Sequence, residues 1–350
     1  MEPTVIFYNC LFLADLRLTD SSLRHLNESS RQKNYSLYRH STTHTAATRP
    51  PFTRDSLSQN TVMIRRVVAI NDTVYCDTHK IAEALESLFP HSNEHPSLFP
   101  KCPNMGDNLN SVLQKTLVEF VVDRPLFRLA VAFMPWHKLP KVFLEDREKY
   151  LGSPIDLNHM TKTRPFAISQ MQVHLASLEE ILQESGGNFF MQTDYPGILD
   201  ASLYFVFRWI HVMGCEEDLY GPKSESNFPF VRKWVEAMRS FHENHKTDSP
   251  STRITGKEAN QKIPDPPKMT GKMQPKTNDE RLFGLGSQVA VIPDDLGKVP
   301  TTGRLVEINC STISIIVKRR DEESNRECKV SFPRLGFNVL PASLADASKM

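Results

Sequence analysis

The hydrophobic pattern is most legible between Val67 and Phe89. Val67-Val-Ala-Ile70 and Thr73-Val-Tyr-Cys76 are short β-favouring runs separated by Asn71-Asp72, two residues that tolerate positive φ, which predicts a tight hairpin. Ile81, Ala82, Leu85 and Leu88 then recur at helical spacing with Pro90 beyond them, so a helix is expected to begin at Asp77-Thr78. Upstream, Thr4–Tyr8 reads as an opening strand. Leu11–Leu26 has only a patchy helical pattern, and Ser36–Asn60 is rich in Ser, Thr, His, Arg and Pro. The length before the hairpin suits a βαβ unit, degraded or partly disordered.

Beyond a connector rich in Pro, Ser and Asn, the period stays helical for more than a hundred residues. Ser111–Met134 carries Val112, Leu113, Leu117, Val118, Phe120 and Val121 on one side, and Pro125 should kink or split it. Val142–Tyr150 is a charged helical patch. Arg164–Glu184 aligns Met171, Leu175, Leu178 and Leu182, and Gly186-Gly187 ends it. Ile198–Met213 leaves almost no polar face and is expected to be buried on all sides. Ahead of it, Tyr195-Pro-Gly-Ile-Leu-Asp200 places Gly197 as N-cap and Asp200 at the third helical position, where its carboxylate can reach back to the cap N–H. A further helix opens at Pro229, with Val231, Trp234, Val235 and Met238 on one face.

From Asp248 to Asp279 large apolar residues nearly vanish, which predicts a flexible linker. Val289–Ile292, Arg304–Ile308, Ile313–Lys318 and Lys329–Phe332 follow as strand-like runs punctuated by Gly286, Gly297 and Gly303. Such a run predicts a small β-barrel of the kind used for partner contact, closed by Phe337–Leu340.

Composition narrows the function mainly by exclusion. An apolar fraction of 39% can fill a core, and 42 basic residues against 41 acidic ones give no global field for nucleic acid or an anionic membrane. The six cysteines form no C-x-x-C pair, which argues against a zinc ribbon, a dithiol redox motif or a disulfide framework. Met1-Glu-Pro-Thr lacks a basic n-region, and Leu203–Phe207 is cut by Arg208, so a soluble cytoplasmic protein is expected. His40/His44 and His91/His95 have i, i+4 spacing but sit in Pro- or Ser-rich sequence, and no metal site is predicted. Glu179-Glu180 and Glu216-Glu217-Asp218 read as solvated acids. No phosphate loop and no Gly-x-Ser-x-Gly elbow is present. Asp77-Thr78 is either a simple N-cap or an anion site at a helix N-terminus, where free N–H groups and the dipole favour negative charge.

A βαβ–ββα unit ahead of an all-helical domain is the layout of the glutathione transferases, and the chain resembles that family over roughly residues 48–342, most of all its fungal members. The similarity is carried by Ile64-Arg-Arg through Asp77-Thr78, by Tyr195 to Asp200, and by Phe332-Pro-Arg-Leu-Gly-Phe337. The resemblance implies a multidomain α+β chain. A degenerate thioredoxin-like domain would span 1–92, a connector 93–107, a helical domain 108–247, a linker 248–280 and the β-barrel module 281–342. It also implies glutathione as co-substrate, with Asp77, Thr78 and the Val67 segment as its binding residues, and a small electrophile as second substrate. Tyr8 and Cys10 are weak candidates for thiol activation, since a strand tyrosine and a buried cysteine explain them better. Two departures separate the chain from the family pattern: Arg65-Arg66-Val67-Val68 holds no proline, and neither Tyr8 nor Cys10 sits in a family motif. Two readings follow: a glutathione-dependent transferase, or an inactive scaffold of the same fold. A homodimer and a protein partner at the terminal module are the implied contacts.

Overall fold

The computed structural model describes residues 5–8, 44–47, 67–92, 96–186, 188–222, 227–244, 251–267, 282–295, 297–319 and 326–347. Strand β1 (Val5–Tyr8) runs parallel to β2 (His44–Ala47) and antiparallel to β3 (Val67–Ile70), which forms a hairpin with β4 (Thr73–Cys76). Asn71 makes the turn at φ 53. Because side chains alternate along a strand, Val68 and Ile70 meet Ile81, Leu85 and Phe89 at helix α1 (Thr78–Leu88). Ala69 and Val74 point the other way, into a second core.

The helical part comprises α2 (Asp107–Leu117), a π-helix (Val118–Leu126), α3 (Phe127–Val131), α4 (Lys141–Leu151), α5 (Leu157–Ser185), α6 (Ile198–Val212), α7 (Glu216–Tyr220) and α8 (Pro229–Asn244). Pro125 does not end the helical run but sits inside the π-helix that divides α2 from α3. Proline lacks an N–H and crowds the carbonyl four residues back, and the wider turn absorbs both problems; Phe127 N donates to Val122 O, five residues back. Helix α5 starts upstream of Arg164. The Asp156 carboxylate caps it, accepting from Asn158 N at 2.9 Å and His159 N at 3.0 Å, and Gly186 ends it at φ 61.

Trp234 of α8 stands at the centre of this core, edge-on to Phe190, Tyr204 and Phe207 at 5.1, 6.5 and 5.8 Å. Its indole Nε1 donates to Asp200 Oδ1 at 2.9 Å, the same oxygen accepts from Phe190 N at 3.1 Å, and Asp200 Oδ2 accepts from Gly197 N at 3.1 Å. This one carboxylate thus closes the capping box of α6 and ties it to α8 and to the loop before it. Gly197 is needed there because a Cβ would lie 2.5 Å from Gln114 Oε1, which accepts from Leu199 N. Helix α6 is not buried on all sides as its sequence suggests: Phe205 is 42% exposed.

Past the helices the structure corrects two expectations. Residues 251–262 are not linker but strand β5 (Ser251–Ile254) and helix α9 (Gly256–Lys262), opened by a Thr255/Glu258 capping box. The few apolar residues there, Ile254, Ala259 and Ile263, are all buried, which is why a composition reading misses them. Nor do the C-terminal strands close a barrel. Strands β6 (Gln288–Pro293), β7 (Thr301–Ile308), β8 (Thr312–Lys318), β9 (Glu327–Pro333) and β10 (Phe337–Pro341) belong to one open ten-stranded sheet, ordered β10-β6-β7-β8-β9-β4-β3-β1-β2-β5. β9 pairs in parallel with β4, Val74 opposite Val330, so the edge that barrel closure would need is already taken.

The sheet is curled nonetheless. Six strand steps separate β5 from β8, about 29 Å if flat at ~4.8 Å per step, yet Ile263, just past α9, accepts from Arg319 at the end of β8. Arg319 is buried and its guanidinium donates to Asn260 O, Ile263 O and Pro264 O at 2.7 to 2.8 Å, satisfying the carbonyls that the end of α9 leaves open.

Replacing Asp200 with Ala would strand three buried N–H donors. We expect a loss of about 3 kcal/mol or more, read in a thermal melt as a midpoint lower by on the order of 10 °C; an unchanged midpoint would contradict the role given to this carboxylate.

Candidate functional site

The strand register gathers the residues singled out in the sequence. Ala47 pairs with Tyr8, Tyr8 with Val67, and Val67 with Cys76, so the ends of β1, β2 and β4 and the start of β3 form one row across the sheet, at one end of these strands. Asp77 and Thr78 come directly after that row. Cys10 lies outside the described residues, as do His40 and His95.

Asp77 turns the chain from β4 into α1 at φ 79 and ψ 145, outside the left-handed helical region that Asp tolerates and close to a region used almost only by glycine, so the backbone is strained there. Its Oδ1 accepts from His79 N at 3.0 Å, so it does serve as the N-cap. Capping does not exhaust it, because an ionised carboxylate accepts about four hydrogen bonds. Thr78 beside it is exposed at the positive end of the helix dipole. Helix α1 is held firmly: Lys80 Nζ donates to Thr312 Oγ1 of β8 at 2.6 Å and to Glu83 at 3.1 Å, and Lys115 of α2 reaches Glu83 at 3.0 Å.

A second cluster adjoins these strand ends, at residues that no sequence pattern singles out. His79 Nε2 lies 2.6 Å from Asp123 Oδ2 and 3.5 Å from Glu119 Oε2, both on the π-helix. The i, i+4 spacing of Glu119 and Asp123 puts them on one face, but nothing in the chain links them to a histidine 40 residues earlier. Arg124 donates to Glu119 Oε1 through Nε at 3.2 Å and Nη2 at 3.0 Å, and reaches Asp294 at 3.2 Å. Burial by itself would lower the His79 pKa; the hydrogen bond and charge of Asp123, with Asp77 and Glu119, reverse this and raise it to about 9.

Of the other acids singled out in the sequence, Glu180 and Glu217 are exposed, and three have structural partners. Glu179 accepts from Phe230 N and Val231 N at 2.9 and 2.8 Å, capping α8 rather than facing only solvent. Asp218 pairs with Arg164, and Glu216 with His211 at 2.9 Å. Cys215 packs beside Arg164, and burial pushes its thiol pKa up, the wrong direction for a reactive thiolate.

Residues 129–247 match a family described as a domain of unknown function, DUF7962. No curated protein matches the chain. Among solved structures, a GST-like protein from Pseudomonas syringae is similar over 97% of this chain and 99% of its own, with 17% identity and a TM-score of 0.61. The glutathione transferase GSTFuA3 from Phanerochaete chrysosporium is similar over 71% of this chain and 99% of its own, with 18% identity and a TM-score of 0.37. The first of these shows the fold: the chain shares the fold of that GST-like protein over nearly its whole length. Among the described residues, no helix is long and apolar enough to cross a membrane.

The His79 pair carries a pH signature. Its folded pKa of about 9 lies above the ordinary 6.5, so its stabilisation is complete below pH 6.5 and is lost as pH rises through 9. The thermal midpoint should fall across that window, and fall less in His79→Gln; equal slopes in the two proteins would contradict the pairing.

Proposed function

We propose that the chain is a glutathione-dependent transferase whose thiol-peptide site lies at the strand ends next to Asp77-Thr78. The observation that carries this reading is the register, which sets Tyr8, Val67 and Cys76 in one row with Asp77 and Thr78 next along the chain. The chemistry there suits a γ-glutamyl group, which carries an ammonium and a carboxylate on one carbon. The Asp77 carboxylate would accept from the ammonium. The Thr78 hydroxyl and the N–H groups at the start of α1 would donate to the carboxylate, favoured by the helix dipole.

The main chain at Val67 is already paired on both sides, with Tyr8 and Cys76, so the peptide would lie across the ends of these strands rather than add a strand to the sheet. With the peptide so placed, the thiol gives up its proton, its sulfur forms a bond to an electrophilic carbon, and the displaced group departs with the bonding pair. Binding both partners side by side lowers the entropic part of that barrier. Tyr8, at the end of β1, and Cys10, two residues on, are the groups nearest in sequence to such a thiol. The electrophile would be a small apolar molecule, drawn to the side of the site formed by the helices.

The test is glutathione titration by calorimetry on the full chain and on Asp77→Asn. Asparagine keeps the cap acceptor, so the fold should survive while the charge that would hold the ammonium is removed. Binding in the micromolar-to-millimolar range, weakened at least tenfold by the substitution at unchanged thermal midpoint, is the expected result. No binding to either protein would sink the proposal.

A further inference from the structure

The His79 cluster has more to it than an ion pair, and its reading is independent of glutathione. One imidazole nitrogen and two carboxylate oxygens, from His79, Glu119 and Asp123, lie within 4.8 Å of one another. They come from two separate elements, the first turn of α1 and the π-helix.

We propose that His79, Glu119 and Asp123 form a binding site for a divalent transition-metal ion, with zinc as the ion that suits the set best. A nitrogen with two oxygens is a donor set of zinc-type sites, whereas calcium takes six to eight oxygens. Bonds of about 2.1 Å in tetrahedral geometry put neighbouring ligand atoms about 3.4 Å apart. His79 Nε2 and Glu119 Oε2 already stand at 3.5 Å. His79 and Asp123, at 2.6 Å, are joined by a hydrogen bond, and must part by roughly 0.8 Å to reach the same spacing. Asp123 is about half exposed and has room for that shift.

The surroundings resemble a built site. Arg124 takes Glu119 Oε1 with two donors, which turns Oε2 toward His79, and Asp294 holds Arg124 from the far side. A ligating carboxylate fixed by an outer hydrogen bond is the usual arrangement around bound metals. Two carboxylates neutralise a dication, and the exposure of Asp123 leaves a fourth position for water or a second ligand. An ion held there would join α1 to the π-helix in place of the imidazolium–carboxylate pair.

The experiment is titration of the chelator-treated full chain with zinc chloride by calorimetry, alongside cobalt(II) followed by visible absorption. The proposal expects one ion per chain, the d–d bands of a four-coordinate cobalt site, and affinity at least tenfold weaker in His79→Gln and in Asp123→Asn. His91→Gln, an exposed histidine away from the cluster, should bind as the unmodified chain does. Should His79→Gln fail to fold by circular dichroism, Glu119→Gln decides the matter by the same tenfold criterion. Absence of zinc binding, or equal binding by the cluster variants, would overturn the site.

Discussion

The parallel pairing of β4 with β9 is the constraint on which the rest of the structure depends. It turns two groups of strands, more than two hundred residues apart, into one ten-stranded sheet. Strand β9 has neighbours on both sides and is also buried on both faces: Val330 and Phe332 face one core, while Ser331 is buried on the other, satisfied by Ser314 at 3.1 Å. The same pairing fixes where α1 starts. Lys80 anchors to β8 through Thr312, so the helix whose N-terminus carries Asp77 and Thr78 packs over strands from both ends of the chain.

Local signals in the sequence translate directly into structure where the partners are close in the chain. Asn71 makes the hairpin turn, Asp77 caps the helix it precedes, and Asp200 reaches back to Gly197 as the capping spacing implies. Each of these depends on backbone groups within four residues. The additional bonds of Asp200 to Trp234 and Phe190 were out of reach of such reasoning, because they depend on how α8 and a loop come back to the start of α6.

What sequence reading misses is long-range pairing. Strand β5 and helix α9 look like linker because only Ile254, Ala259 and Ile263 carry their burial, and the polar remainder dominates the composition. The barrel expectation fails for a related reason: hydrophobic alternation identifies strands but not their neighbours, and the free edge of β9 had a partner in β4. The His79 cluster belongs to the same class. Its members are unremarkable singly, and only the packing of α1 against the π-helix brings an imidazole between two carboxylates.

On the reading proposed above, the strand ends at Tyr8 and Val67, with Asp77-Thr78 beside them, hold a thiol peptide. Hydrogen–deuterium exchange of the full chain with and without glutathione tests it most directly, since it reads backbone amides rather than activity. The account predicts slower exchange in peptides covering 67–81, at the start of β3 and the first turn of α1, with the β6–β8 strands unaffected. Protection confined to other parts of the chain, or none at saturating glutathione, would contradict it.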